Sequence, residues 1–405
     1  MKRQLSAAAA LAVALLIGTS CASSIDGQPL PGLAPVDLST LKTGAAATDP
    51  SPFKLRTSSD TAQSVRFIEA RRMLNYVVQP FDVDSDLTSV GFVKLIADST
   101  SMTADGALPE IYKQVGDNNN LVAGAYVSRS NGNLRSQKRL IISVLRFASD
   151  ADSKNAADDF ARITAEQRER HPIPIDSYPD ARATSADNLS ANAFQPHGPY
   201  VIAISAGMPE ANQDKLAGTI KKTIDLQIPQ IDRQQPVPVD DLLDLPLDPD
   251  GIMRRAAPKA KDYSDPGFSL YDEDFGPFEP AGILHFERNP IDVRKAFEEG
   301  GVDLIGRRAG TVYRARDLAA AIRLQTALTK PGKNDTVLDP PPGLGDAQCL
   351  RLDLKDLNRQ YSSFCAIVYD RYVAVVISSF PELARVDRRL EERTAGQYSI
   401  LVKSG

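Results

Sequence analysis

The sequence predicts an α+β protein with two domains, each a mostly antiparallel or mixed sheet covered by amphipathic helices. The chain has 405 residues, of which 42% are hydrophobic, and this is enough for two cores. Short apolar runs typical of strands alternate with segments in which apolar residues recur every three or four positions. A proline-rich, acidic stretch at 229–250 separates two such sets and is the predicted interdomain linker.

The first domain is predicted to span residues 53–228. It begins with a helix over 60–78, in which Phe67, Ala70 and Leu74 line one face. Later strands are predicted at 91–97, 124–128, 140–147 and 200–206, and helices at 149–168 and 209–226. Pro209 suits the first turn of the last helix because its missing N–H would have no partner there.

The second domain is predicted to span residues 251–405 and to repeat this alternation. Strands are predicted at 283–287, 301–306, 311–313, 349–354, 363–369 and 372–378, and helices at 291–299, 316–329 and 381–393. Asp370 and Arg371 separate two strongly apolar runs, which predicts a tight hairpin at this point.

A weak internal similarity connects the two domains. Residues 200–210 align with residues 372–382, with Tyr, Val, Pro and Glu matching in place, and residues 145–147 align with 284–286. Strand–helix units also recur in unrelated α+β domains, so the alignment leaves both a duplication and a chance similarity open.

The N-terminus resembles the signal of a bacterial lipoprotein. Two basic residues precede an apolar run over 5–17, which is too short to span a bilayer, since spanning needs about 20 residues. Small residues and Cys21 follow as in a lipobox, although Gly18 stands where leucine is usual. The resemblance implies removal of a signal peptide, residues 1–20, and an acylated Cys21 (palmitate among its acyl chains). The alternative is ordinary secretory cleavage nearby.

Acylation of Cys21 would place the protein at the extracytoplasmic face of the cell membrane. Two acyl chains anchor a protein stably, where one does not. Residues 21–52 are predicted to be the lipidated N-terminus and a flexible tether, because small residues and prolines dominate there without a sustained hydrophobic period.

The remaining two cysteines predict a disulfide. The chain has three cysteines, and lipidation of Cys21 leaves Cys349 and Cys365, which lie 16 residues apart in strand-like runs. In an oxidising compartment, their bond would stabilise the fold by about 3 kcal/mol in the chain-entropy model. The alternative is a pair of buried free thiols.

Several local sequences resemble a known family. Residues 35–39 after the lipobox, and the segments 69–72 and 76–78, are similar to two-domain lipoproteins of mycolic-acid-bearing actinobacteria. The resemblance covers nearly the whole chain. It implies a cell-envelope location and a two-domain layout. The family is uncharacterised, so the resemblance supplies no functional residues.

The charge balance excludes some partners. The chain has 47 basic and 52 acidic residues, and removal of residues 1–20 would leave 45 − 52 = −7. A mildly acidic protein lacks the basic surface that nucleic acids require. It would also not bind an anionic bilayer without its lipid, so the predicted membrane contact is the acylated Cys21 alone.

No metal site is predicted. His171, His197 and His285 lack the spacing of a zinc-binding motif, so solvated or packed histidines are the default. The acidic run 82–86 begins like a calcium loop but lacks the glycine and the final glutamate of an EF-hand. A looser calcium site and a solvated acidic turn remain the two alternatives for this run.

The sequence assigns no catalytic residue and no cofactor, since motifs for serine nucleophiles, phosphate loops and dinucleotide binding are missing. The leading hypothesis is a non-enzymatic binding or scaffolding module of the cell envelope, with an unknown small-molecule or protein partner. One alternative is a hydrolase of envelope polymers, which would need convergent carboxylates or a Ser–His pair in one cleft. The other is a lipid carrier, which would need a large enclosed apolar cavity.

Overall fold

The apolar runs of the sequence form two seven-stranded antiparallel sheets, which amphipathic helices cover. This architecture is that of a computed structural model, which describes residues 33, 35–54, 61–259, 274–379 and 387–405. The described residues between 35 and 405 form one compact unit that contains both sheets. The predicted class, α+β with two sheet-containing domains, is confirmed. The predicted signal peptide and Cys21 lie outside the described residues.

The strands belong to one sheet or the other according to their position in the chain. The first sheet contains β1 (Ser89–Ile96), β2 (Leu121–Ser130), β3 (Arg139–Phe147), β4 (His171–Pro172), β5 (Arg182–Ser185), β6 (Ser190–His197) and β7 (Tyr200–Gly207). The second sheet contains β8 (Gly276–Phe278), β9 (Leu304–Arg307), β10 (Thr311–Arg314), β11 (Thr336–Leu338), β12 (Gln348–Arg351), β13 (Ser363–Tyr369) and β14 (Tyr372–Ser378).

The α-helices flank these strands. In the first half of the chain they are α1 (Thr61–Leu74), α2 (Pro80–Val83), α3 (Ser99–Thr103), α4 (Lys113–Asn118), α5 (Asp150–Gln167) and α6 (Gln213–Ile231). In the second half they are α7 (Ile252–Arg255), α8 (Pro280–Ile283), α9 (Pro290–Gly300), α10 (Leu318–Leu328) and α11 (Arg388–Lys403). Short 3-10 helices occur at Leu38–Thr40, Ala104–Gly106, Glu110–Tyr112, Val239–Asp244, Pro249–Gly251 and Leu284–Phe286.

The two sheets have the same topology. The strand order is β1-β2-β3-β7-β6-β5-β4 in the first sheet and β8-β9-β10-β14-β13-β12-β11 in the second. The helices follow the same plan, because α5 and α10 follow the third strands, and α6 and α11 follow the last strands. A shared path of seven strands with helices at matching points indicates an internal duplication, one of the two alternatives that the sequence leaves open.

The registers of the central strands support the duplication. Arg146 on β3 pairs with Tyr200 on β7, and Arg314 on β10 pairs with Tyr372 on β14. In both domains the N-cap residue of the following helix comes three positions after this arginine. The alignment of residues 200–210 with 372–382 therefore matches equivalent strands.

The hairpins that lead into β7 and β14 share a backbone conformation. Gly198 has a φ of 52° and Asp370 a φ of 50°, and each is the first loop residue after a paired strand position. Glycine adopts this left-handed conformation freely, and aspartate tolerates it better than most residues. The predicted hairpin at Asp370 and Arg371 is confirmed, with β13 and β14 at their predicted bounds.

Residues 283–287, predicted to be a strand, instead form the end of α8 and the 3-10 helix Leu284–Phe286. The prediction is wrong because a short apolar run that is buried on all sides carries no distinguishing periodicity. Pro280 begins α8, and carbonyl groups of the 3-10 turn accept hydrogen bonds from Arg129 instead of from a neighbouring strand. The alignment of residues 145–147 with 284–286 is also wrong, because the counterpart of β3 is β10.

Two helix boundaries also differ from the prediction. Helix α6 begins four residues later than residue 209 because the Asn212 side chain caps it, and it continues through Pro229, which the prediction places in the linker. A proline in the last turn removes only one helical hydrogen bond. Of the predicted helix 381–393, residues 381–386 lie outside the described residues, and α11 covers Arg388–Lys403.

Aromatic packing forms the core on one face of the first sheet. Helices α3, α4 and α5 cover this face, where the rings of Tyr112, Phe160 and Phe194 lie 5.0 to 5.8 Å apart between centroids. Helices α1 and α6 pack against the first sheet outside this cluster. The sheet is therefore sandwiched between helices, as strands with two apolar faces require.

The core of the second domain contains the predicted disulfide. Cys349 of β12 lies directly opposite Cys365 of β13, and their Cα atoms are 4.1 Å apart. Both cysteines are buried together with Met253 of α7 and Leu390 of α11. The disulfide therefore joins neighbouring strands inside the core.

Residues 35–54, here called the N-terminal strap, pack against the second domain. Leu41 is buried in its core, and Val36 and Phe53 lie against the same cluster. Arg308 Nη1 donates a hydrogen bond of 3.1 Å to the Ser51 carbonyl. Residues 21–52 are predicted to form a flexible tether. The described part of this segment is instead attached to the fold, because its few apolar residues are spaced so that they reach the core of the second domain.

We expect Leu41→Ala to lower the free energy of unfolding by about 2 kcal/mol, since it removes buried methyl groups at the edge of a core. Urea unfolding followed by circular dichroism measures this change. Ser39→Ala is the control, because Ser39 is exposed and bonds only to its neighbour Asp37, so it should change stability little. Equal stability of Leu41→Ala and the parent would show that the strap is not part of the core.

Candidate functional site

A buried arginine holds the two domains together. Arg129 of β2 is inaccessible to solvent, and its Nη1 donates to the Thr88 carbonyl at 2.7 Å. Its Nη2 lies 3.0, 3.1 and 3.2 Å from the carbonyl oxygens of Leu284, His285 and Glu287. Burial lowers the pKa of Arg129 to about 10, so the guanidinium stays charged at neutral pH and depends on these oxygens.

His285 lies in the same junction and is fully buried. Its Nε2–H donates to the Val77 carbonyl at 3.1 Å, which connects the second domain to the segment after α1. Burial lowers the pKa of His285 to about 3, and the nearby charges of Arg129 and Arg294 act in the same direction. His285 is therefore a neutral structural residue at physiological pH.

An open groove crosses one face of the first sheet. It has a volume of about 680 Å³ and lies between the sheet and the connector from α3 to α4. Apolar and aromatic side chains form most of its walls: Phe92, Leu108, Tyr112, Tyr126, Ile141 and Phe194. Polar and charged side chains complete it: Ser128, Ser130, Gln137, Asn192, Ser205, Glu110, Arg129 and Arg139. We call this the first groove.

The shape of the groove wall formed by β1 depends on the close approach of β1 to β2. The Ser128 Oγ accepts a hydrogen bond of 2.8 Å from the Phe92 N–H, beside an irregularity in the pairing of β1 with β2. A Cβ atom on Gly91 would lie 2.3 Å from that Oγ and 2.7 Å from the Ser128 carbonyl oxygen. Only glycine fits at this position, so Gly91 sets the shape of the wall.

The second domain has a cavity at the equivalent place. Its volume is only about 60 Å³, and it lies on the corresponding face of the second sheet. Through the paired registers, four lining residues of the first groove correspond to four lining residues of this cavity. The corresponding pairs are Tyr126 and Arg307, Asn192 and Phe364, Ala203 and Val375, and Ser205 and Ile377.

A loop of the second domain fills the space that is open in the first. Residues 352–362, here called the plug loop, connect β12 to β13, and Asp356, Asn358, Arg359 and Tyr361 line the cavity. The corresponding segment in the first domain, residues 186–190 between the paired positions Ser185 and Ala191, is shorter and does not line the first groove.

The plug loop is fixed by hydrogen bonds to backbone groups. The Asp356 carboxylate accepts from the backbone N–H groups of Asn358 and Arg359 at 3.0 and 2.7 Å. The Arg359 Nη2 donates to the carbonyls of Arg308 and Ala309 at 2.7 and 3.1 Å. These contacts close the loop on itself and tie it to the β9–β10 turn.

A cluster of buried ionisable groups surrounds the small cavity. Tyr313 donates a hydrogen bond of 2.6 Å to Glu287, and Arg307 Nη2 lies 3.4 Å from Asp274. Burial raises the pKa of Glu287 to about 7 and also raises the pKa of Asp356. Two carboxylates thus line one cavity, but its volume is about a tenth of the volume of the first groove, so it has no room for a polymer.

The histidines considered in the sequence analysis do not come together as a metal site. His171 Nε2 lies 2.8 Å from Asn188, and His197 Nε2 lies 2.6 Å from Asp232, so these two histidines have separate partners. The described residues contain no group of three or more His, Cys, Asp or Glu side chains that could hold a metal ion.

The acidic run 82–86 is used for ion pairs. Asp84 and Asp86 both bind the Lys138 Nζ, at 3.0 and 2.7 Å, and Asp82 makes two hydrogen bonds with Arg294. A calcium site would need these carboxylates turned towards one ion. The solvated acidic turn is the alternative that this arrangement favours.

Sequence reasoning missed both the first groove and the plug loop. The groove residues come from distant segments, and none of them carries a motif. One signal was present: the run from Asp356 to Tyr361 combines Asp, Asn, Arg and Tyr between two apolar strands, which is unusual for a simple turn. Its position over a groove follows only from the sheet topology.

Two protein-family models match the chain. They are the N-terminal part of the domain of unknown function DUF7373, at residues 56–247, and its C-terminal part, at residues 252–404. A search of curated proteins and a search of solved structures found no match. Both sheets fall within the matched residues, so a two-part family of unknown function is shown. Among the described helices, none has the length and apolar character needed to cross a membrane.

The neutral state of His285 predicts a pH dependence of stability. The pKa of His285 is about 3 in the folded protein and about 6.5 in the unfolded chain, so below pH 6.5 the unfolded chain binds more protons. Between pH 6.5 and pH 5 this should remove about 2 kcal/mol of stability. His285→Gln keeps a donor for the Val77 carbonyl and should lose less stability over this range.

Chemical unfolding of both proteins at pH 7.5, 6.5 and 5 tests this prediction. The other ionisable groups are common to both proteins, so the difference between the two pH profiles isolates His285. Parallel profiles would show that protonation of His285 does not oppose folding.

Proposed function

The chain belongs to the two-part DUF7373 family of unknown function, and we propose that it is a non-enzymatic binding module whose ligand site is the first groove. The observation that carries this proposal is the contrast between two equivalent places in a duplicated fold. One is an open groove of about 680 Å³, and the other is a remnant of about 60 Å³ filled by the chain itself. A groove kept open at one of two equivalent places has room for an external ligand.

The size and lining of the first groove fit binding. Ligand sites are commonly about 300–1,000 Å³, mostly apolar, with a few polar groups that orient the ligand. The first groove has this composition, with aromatic walls, several neutral hydrogen-bonding groups and a few charged side chains. Glu110 is the only carboxylate among its lining residues, and histidine is not among them, so the lining does not supply an acid–base pair.

One carboxylate pair that the structure offers for the hydrolase alternative is Glu287 with Asp356, which line the small cavity. These carboxylates converge, but Glu287 is hydrogen-bonded to Tyr313 and Asp356 to the backbone of its own loop. These hydrogen bonds hold the carboxylates in structural positions inside a cavity of only about 60 Å³. The pair is better explained as part of the packing of the plug loop.

We further propose that the protein is a lipoprotein of the cell envelope, anchored by acylated Cys21 to the extracytoplasmic face of the membrane. The short apolar run over 5–17 and the small residues before Cys21 support this proposal. A disulfide in the folded part is also typical of exported proteins. The resemblance to lipoproteins of mycolic-acid-bearing actinobacteria points to the same compartment.

Filling the first groove tests the binding proposal. The neutral fluorophore N-phenyl-1-naphthylamine is the probe, and its fluorescence rises when it enters an apolar site. Ser205→Trp places a large ring among the groove walls and should weaken probe binding about tenfold or more. Thr336→Trp, on an exposed strand position of the second sheet, is the matched control and should bind like the parent.

The result that would overturn the proposal is equally tight probe binding by Ser205→Trp and the parent, since the groove would then not be the site. An absence of saturable probe binding to the parent would have the same consequence.

The anchor is tested by Cys21→Ser. Loss of two acyl chains removes the apolar surface that holds the protein in the bilayer, so the variant should move from the membrane fraction to the soluble fraction. Mass spectrometry of the N-terminal peptide of the parent should show an acylated cysteine. Membrane association that persists in Cys21→Ser would contradict the proposed anchor.

A further inference from the structure

The plug loop shows which kind of ligand fits over the face of the sheet that carries the first groove in the first domain. In the second domain the occupant of the place equivalent to the first groove is a turn-shaped protein segment. We propose that the ligand of the first groove is a loop of a partner protein. This inference rests on the proposed function of the groove as a ligand site. The second domain carries its occupant within the chain, and the first domain would receive it from outside.

The comparison is valid because the connectors start and end at equivalent positions. Ser185 pairs with Ala191 across β5 and β6, and Arg351 pairs with Ser363 across β12 and β13. The first connector contains five residues and the second contains eleven. The six additional residues in the second domain provide the segment that covers the face.

The contacts that hold the plug loop in place are of kinds that could hold other protein segments. Arg359 binds backbone carbonyls, and Tyr361 packs edge-on against Phe364 with ring centroids 6.0 Å apart. Backbone hydrogen bonds and an aromatic anchor are the two elements by which loops of partner proteins are recognised.

The first groove offers the same two elements with more room. Asn192, Ala203 and Ser205 replace the larger residues Phe364, Val375 and Ile377, so the floor is lower. The polar side chains of Asn192 and Ser205 can bond peptide groups, since both are partly accessible.

The groove also has an anchor site and a balanced charge. Tyr112, Tyr126 and Phe194 lie where an aliphatic or aromatic side chain would pack. Glu110 and Arg139 are exposed and carry opposite charges, and Arg129, which also lines the groove, is buried and bonded to backbone carbonyls. A partner loop of low net charge is therefore favoured over a strongly charged one.

The plug loop itself forms one end of the first groove. Leu357 is among the groove-lining residues, and the residue is 43% exposed. Asn358, the next residue, bonds the Val93 N–H at 2.8 Å and the Gly91 carbonyl at 3.2 Å on β1. A partner loop in the groove would therefore extend an existing contact between a loop and the β1 wall.

A loop graft tests the inference. In the full-length mature chain with Cys21→Ser, residues 186–190 are replaced by the sequence of the plug loop, and Ser205→Cys supplies a single reactive thiol. The grafted loop should cover the groove and slow maleimide labelling of that cysteine about tenfold or more, since labelling then requires the loop to open. A Gly-Ser connector of the same length is the matched control and should give no protection.

Labelling of the graft as fast as the Gly-Ser control, in a protein whose circular dichroism matches the parent, would overturn the inference. If the graft does not fold, a cyclic peptide with the sequence of residues 352–362 decides the question on the Cys21→Ser protein. It should displace N-phenyl-1-naphthylamine, and a scrambled cyclic peptide should not.

The two proposals fail in distinguishable ways. In one outcome, Ser205→Trp abolishes probe binding, but the graft gives no protection or the cyclic peptide does not compete. The groove would then be a small-molecule site, and only the partner-loop inference would be overturned. Absence of groove-dependent probe binding to the parent would overturn the proposed function, and the inference with it.

Discussion

The position of the second sheet relative to the first depends on the burial of one charge, the guanidinium of Arg129. Removal of a charged group from water costs several kcal/mol unless hydrogen bonds replace the lost hydration. Thr88 supplies one of the replacing carbonyls from the first domain, and the turn at Leu284–Phe286 supplies two from the second. This requirement fixes the turn against β2, and the same placement brings Asn358 to the edge of β1.

The duplication explains how one fold contains two different surfaces. In both domains the corresponding face of the sheet lies between equivalent helices. The domains differ most in one connector, which joins β5 to β6 in the first domain and β12 to β13 in the second. A longer connector in the second domain covers that face, and a shorter one in the first leaves it open. The core need not change for this difference to arise, because connectors tolerate insertions better than strands do.

Local sequence was sufficient where local interactions decide the structure. The hairpin at Asp370 and Arg371, helix α5 and the cysteine pair across β12 and β13 follow from residues near one another in the chain or from cysteine arithmetic. The turn at 283–287 and the docking of the strap could not be predicted in this way. Both depend on tertiary partners, namely Arg129 and the core around Leu41.

One pair of equivalent residues explains why the first groove can stand open and the second cannot. Arg307 lies at the base of the filled cavity, near Asp274, Glu287 and Asp356, and Tyr126 takes its place in the first groove. Without the plug loop, the buried cluster would lose Asp356 and Arg359 together, so the charges of Arg307 and Glu287 would keep fewer partners in a buried place. Tyr126 is neutral, so the first groove can lose an occupant without leaving a charge unpaired at its base. Reversible binding therefore suits the first domain, and a permanent intramolecular occupant suits the second.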